Sequence, residues 1–100
     1  MVEVRQTERS VRWLEGLRDL RDRAKVLARI ERLIGGNPGD VRPVGSGVSE
    51  LRINYGPGYR VYYLQRGTTL IILLAGGDKS SQVKDIDGAL LLAANLAEET

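Results

Sequence analysis

The chain has 100 residues, with 15 Lys and Arg against 13 Asp and Glu, and a formal net charge of +2. That length predicts one domain, residues 1–100, with a real but modest core. With no cysteine and no histidine, it has no disulfide, zinc thiolate, cysteine nucleophile, Ser-His-Asp triad or histidine-ligated metal.

The charge is unevenly placed. Of the 15 basic residues only Lys84 lies beyond residue 79, and the end of the chain carries Asp85, Asp87, Glu98 and Glu99. A basic body with an acidic tail fits a polyanion partner, and it fits an ordinary solvated surface as well. Any chemistry falls to Arg, Lys, Tyr, Asp, Glu or the backbone, with no cofactor and no metal expected. The start of the chain lacks a charged segment followed by an apolar one, and no apolar run is long enough to span a bilayer. The expectation is a cytoplasmic protein without a membrane partner.

Val2 to Gln6 alternates apolar and charged residues and predicts a short first strand. Thr7 reads as the N-cap of a first helix, with Glu8 suited to its positive end and Val11, Trp13, Leu14 and Leu17 toward the core. Asp19 opens a second helix, and Asp22 three residues on gives a capping-box pattern. Leu20, Ala24, Leu27, Ile30 and Ile34 form its apolar stripe, broadened by Val26 and Leu33. The opposite side carries Arg18, Arg21, Lys25, Arg29 and Arg32 at spacings that line one face. That face answers either to plain solvation or to contact with rRNA or another phosphate backbone. Gly35 to Gly39 stops the helix, and Asp40 to Val44 reads as loop.

Three β-rich runs follow between Gly45 and Gly77. Gly56-Pro57-Gly58 and Arg66-Gly67 divide them, and turns that short predict an antiparallel meander. The last run, Thr69 to Ala75, is nearly all apolar and predicts a strand covered on both faces. If Tyr55 pairs with Tyr59, then Leu51, Ile53, Tyr55, Tyr59, Val61 and Tyr63 share an apolar face. Glu50, Arg52, Asn54, Arg60 and Tyr62 share the other, with Arg52 opposite Tyr62 and Asn54 opposite Arg60. Asp78 or Ser80 caps a terminal helix. Ile86, Ala89, Leu90 and Ala93 turn toward the body, and Leu91, Leu92 and Leu96 leave apolar surface to spare.

Three segments carry a family resemblance: Glu50-Leu51-Arg52, Gly56-Pro57-Gly58-Tyr59-Arg60-Val61-Tyr62 and Leu74-Ala75-Gly76-Gly77-Asp78-Lys79-Ser80. Together they resemble the HigB-like addiction module killer branch of the RelE/ParE toxin superfamily, which includes phage-derived relatives. The likeness runs from about Thr7 to Ala93, although Ser10 stands where many relatives carry a bulky aromatic. It implies an α+β fold in the order β-α-α-β-β-β-α. A small, mainly antiparallel four-stranded sheet carries the two N-terminal helices on one face and the C-terminal helix at its edge.

The resemblance also implies a type II toxin acting as a ribosome-dependent, metal-independent mRNA endoribonuclease. The 2′-hydroxyl attacks the neighbouring phosphate and a 5′-hydroxyl leaves. The expected partners are the ribosome, mRNA and a HigA-like helix-turn-helix antitoxin held in a hetero-oligomer. Arg52 and Arg60 suit a bidentate phosphate clamp. Lys79 suits phosphate contact or proton transfer, and Tyr62 or Tyr59 base stacking or a proton relay. Each residue has a plainer role. Arg52 can pair with Glu50 or Glu31, Arg60 can be a cross-strand surface residue, and Lys79 an exposed loop lysine. The rival functions are a ParE-like gyrase-binding toxin that cuts no RNA and a non-toxic member that serves only as a binding partner.

Overall fold

The computed structural model describes the backbone of residues 2–98 and the side chains through Leu96; of the acidic tail, Glu99 and the Glu98 side chain lie outside the described residues. The elements are β1 (Glu3–Gln6), α1 (Glu8–Glu15), α2 (Leu20–Ile34), β2 (Val41–Gly45), β3 (Val48–Ile53), β4 (Tyr59–Arg66), β5 (Leu70–Gly77), a 3-10 turn (Lys79–Ser81) and α3 (Gln82–Glu98). The strands form one five-stranded sheet in the order β1-β5-β4-β3-β2. β1 runs parallel to β5 and the other pairs are antiparallel. No helix is long and apolar enough to cross a membrane among the described residues.

The sheet has one strand more than the sequence predicts. Residues 41–44, read as loop, belong with Gly45 to the edge strand β2, whose register with β3 slips between Pro43 and Gly45. Proline donates no ladder hydrogen bond, so an edge position next to an irregularity is where a strand can hold one.

Both sheet faces are covered. On one, Leu51, Ile53, Tyr59, Val61, Tyr63, Ile71 and Leu73 meet Val26, Ile30 and Leu33 of α2, with Trp13 and Leu14 of α1 at the margin. On the other, Val48, Tyr62, Leu64, Ile72, Leu74 and Ala75 meet Ala89 and Ala93 of α3. The terminal helix therefore lies across the second face instead of at the sheet edge. The apolar even positions of β4 and β5 supply the surface that it covers.

The helix caps follow the sequence. Thr7 Oγ1 accepts from the Ser10 amide at 3.1 Å, and Asp19 Oδ1 from the Arg21 and Asp22 amides at 2.8 and 3.1 Å. Asp22 closes no box; its Oδ2 takes the Tyr59 hydroxyl at 2.5 Å. The buried stripe of α2 is Val26, Ile30 and Leu33, whereas Leu20 is 80% exposed and Leu27 also faces out. The helix is turned from the expected orientation so that Asp22 and Val26 share its inner side. On α3, Leu91 and Val83 are open, while Leu92 and Leu96 pack on the second core.

Candidate functional site

The site lies at the end of the sheet where β3 turns into β4. Its register is shifted by two residues from the expected one. Arg52 stands directly opposite Arg60, Glu50 opposite Tyr62 and Ile53 opposite Tyr59. A shift of two preserves side-chain parity, so the faces hold even though the partners change. Tyr55 falls beyond the strand, half-buried against the α2-side core.

Glu50 organises the cluster. It is 1% exposed, yet its carboxylate has three side-chain donors. Arg52 Nε donates to Oε1 at 3.0 Å, Tyr62 Oη to Oε2 at 3.0 Å and Gln82 Nε2 to Oε2 at 2.9 Å. A buried carboxylate needs this much compensation for lost water. Gln82 comes from the first turn of α3, so the same carboxylate ties that helix to the sheet. Sequence reasoning offered Glu50 only as one possible mate for Arg52. The legible signal was Glu50-Leu51-Arg52, an acid and a base two apart on one strand face.

Arg60 is buried, and no carboxylate lies within 4.0 Å of it among the described residues. Its Nη1 reaches the Tyr59 carbonyl at a long 3.3 Å, and its Nε has no partner. Lys79 is exposed on the 3-10 turn, against the tip of the β3–β4 turn. A Cβ on Gly58, whose φ is +80°, would stand 3.4 Å from Lys79 Cβ and 3.8 Å from Arg60 Nη1. Glycine thus adopts the left-handed backbone and keeps the space between Arg60 Nη1 and the base of the Lys79 side chain open. Asp78 holds the 3-10 turn by accepting from the Ser80 amide at 2.8 Å. Ser80, the Asp78 carboxylate's partner, keeps the Asp78 pKa below its ordinary value.

The expected site residues therefore divide. Arg52, Arg60 and Lys79 gather around the turn. Tyr62 does not join them as an accessible group: its ring is fully buried beneath α3. Burial first, then the bond to Glu50, raise the Tyr62 pKa, so the hydroxyl stays protonated and donates. A ring without exposed area has no face for a base. Tyr59 is likewise buried, committed to Asp22 and set edge-on to Trp13 at 6.2 Å. A surface cavity of about 620 Å³ runs along the 3-10 turn and the start of α3, lined by Lys79 and Gln82 but by neither arginine.

The cationic row of α2 divides as well. Arg18 precedes the helix; Arg18, Arg21, Lys25 and Arg32 are exposed. Arg29 is half-buried and spends Nη1 on the Arg52 carbonyl at 2.7 Å and Nη2 on the Pro38 carbonyl at 2.8 Å. No group of acidic side chains suited to a metal ion occurs among the described residues.

The family model described as phage derived protein Gp49-like matches residues 12–95. An uncharacterized protein of Haemophilus influenzae (strain ATCC 51907 / DSM 11121 / KW20 / Rd) is 55% identical over 84 residues, covering 84% of this chain and 85% of that protein. No solved structure matches the chain. With the match spanning most of its length, the chain belongs to the phage-derived Gp49-like family of toxin–antitoxin toxins, which are RelE/HigB-like in general.

Proposed function

We propose that the protein is a ribosome-dependent mRNA endoribonuclease neutralised by a cognate helix-turn-helix antitoxin. The observation that carries this reading is Arg60: a buried guanidinium, free of carboxylates among the described residues, directly opposite Arg52 and across Gly58 from Lys79. Fixed cations at developing phosphate charge supply the largest catalytic contribution in such reactions.

In the proposed step the 2′-oxygen bonds to the adjacent phosphorus and the bond from phosphorus to the 5′-oxygen breaks. The products are a 2′,3′-cyclic phosphate and a 5′-hydroxyl. Arg60 and Arg52 neutralise the phosphoryl oxygens. Lys79 gives its proton to the leaving 5′-oxygen, because arginine does not deprotonate and Tyr62 is held as a donor to Glu50. The 2′ proton passes to a group that the ribosome supplies, since Glu50 is sealed behind three donors. Arg18, Arg21, Lys25, Arg29 and Arg32 serve as contacts to rRNA or the message backbone.

A ParE-like toxin that binds gyrase without cutting RNA is the second reading. The enclosure of Arg60, 8% exposed, and the ion pair that occupies Arg52 favour it. Induced expression with mapping of mRNA 5′ ends separates the two. Codon-phased cuts in translated messages support the nuclease, whereas DNA breaks with intact messages support gyrase binding. Arg60→Ala and Lys79→Ala should each abolish toxicity while antitoxin binding survives. A folded, fully toxic variant removes that residue from the site.

A further inference from the structure

A second cationic feature lies on the α2 side of the same sheet end. A cavity of about 320 Å³ opens between α2 and the end of β3, and Lys25, Arg29, Arg32, Asn54 and Tyr55 line it without any carboxylate. The Nη2 atoms of Arg29 and Arg32 lie 3.0 and 3.3 Å from the point where a Cβ on Gly39 would stand, so two guanidiniums crowd one spot. Neither forms an ion pair among the described residues. Arg29 Nε is buried without a partner. Burial, then the charge of Arg32, lower the Arg29 pKa against the smaller opposing pull of Asp40. Lys25 Nζ adds a third positive charge, 5.4 Å from the centre of the Tyr55 ring. Like charges held together in this way are relieved by an anion.

We propose that Lys25, Arg29 and Arg32 form a discrete subsite for one phosphodiester group of single-stranded RNA. It deepens the RNA reading above and rests on that reading only for the nature of the polyanion. Arg18 and Arg21 lie outside it, so the row on α2 is one built subsite with a looser approach. Arg29 connects the subsite to the clamp, because its Nη1 donates to the Arg52 carbonyl while the Arg52 side chain belongs to the other sheet face. A strand rounding the end of β3 therefore touches the subsite and the clamp in succession. Cations continuing along the helix suit the repeating charge of a nucleic-acid backbone better than the isolated carboxylates of a protein partner.

The test is fluorescence anisotropy with a labelled 2′-O-methyl oligonucleotide, which has no 2′-hydroxyl to attack, so binding is read independently of cleavage. Lys25→Ala/Arg32→Ala changes two exposed side chains and spares Arg29, whose carbonyl bonds brace the loop. The double variant should bind at least about tenfold more weakly, and its slope of log affinity against log salt should fall by up to about 0.7, the share of one phosphate on a single strand. Arg66→Ala, an exposed cation at the far end of β4 from the turn, should stay within about twofold of the parent. No binding by the parent, unchanged binding by the double variant, or an equal loss in Arg66→Ala overturns the subsite. So does a double variant that keeps its RNA affinity and loses only the antitoxin. If binding follows the prediction but induced cells show uncut messages, the nuclease reading fails and the subsite stands.

Discussion

Glu50 and Tyr62 face each other across β3 and β4, and the tyrosine hydroxyl donates to the carboxylate at 3.0 Å beneath α3. Neither side chain is open to solvent. The pair is the buried floor on which Arg52 rests. Tyr62→Phe should cost about 1.5–3 kcal/mol, the range for a hydrogen bond to a charged group, and leave Arg52 in place. Glu50→Ala should cost about 3–5 kcal/mol, since it strands a guanidinium, a phenol and an amide at once. Urea unfolding of both variants checks the ranking. Equal losses would mean that the carboxylate does not organise the site.

Tyr59 makes stability depend on alkaline pH. Its hydrogen bond to Asp22, followed by burial, pushes its pKa up to about 12. The neutral phenol is favoured in the fold, against an unfolded value of about 10. Its contribution is therefore complete below about pH 10 and is lost as the pH rises through about 12. Tyr59→Phe should flatten that part of the stability curve. Tyr62 and Tyr63, both raised, maintain a residual alkaline loss. Unfolding midpoints from pH 8 to 12 in parent and variant read the difference.

Two glycines separate rigid from yielding neighbours. A Cβ on Gly76 would stand 2.1 Å from Trp13 Cε3, inside a packed ring. On Gly88 it would stand 2.1 Å from Arg9 Nη1, the far end of a flexible side chain that pairs with Asp85 at 3.1 Å. Gly76→Ala should cost about 1–3 kcal/mol or more as overpacking. Gly88→Ala gains up to about 1 kcal/mol of helix propensity but displaces Arg9 from the buried Asp85 carboxylate, and should come out destabilising by about 1–3 kcal/mol. Thermal melts of the two variants provide the comparison.

The rotation of α2 sets a third contrast. Ile30→Ala should cost about 2–5 kcal/mol, and Leu20→Ala should stay within about 0.5 kcal/mol. Comparable losses at both positions would put Leu20 back in the core.

The strand faces were legible before the structure because parity survives a two-residue slip. The partners were not, because a loop containing Gly56 and Gly58 admits more than one closure. Arg52 was therefore expected opposite Tyr62, and the central role of Glu50 went unseen. The α2 stripe was ambiguous for a different reason. Apolar residues lie on two adjoining sides, and tertiary bonds from Asp22 to Tyr59 and from Arg29 to the Arg52 and Pro38 carbonyls favour one of them. Pro43 hid β2, since an interior strand excludes proline and an edge does not. The position of α3 depended on the even residues of β4 and β5 needing a cover, a tertiary demand that the helix's own pattern does not express.

β1 lies alongside β5, with Glu3 aligned to Leu70 and Gln6 to Leu73. The next residue is tied to the same strand, as Thr7 bonds to the Leu73 and Leu74 carbonyls. β1 is thus made before the strand on which it docks, the last of the sheet. Loop closure over that span is entropically costly and comes late. A nascent chain halted before residue 70 leaves β1 unmated, so an unfinished copy cannot assemble the sheet.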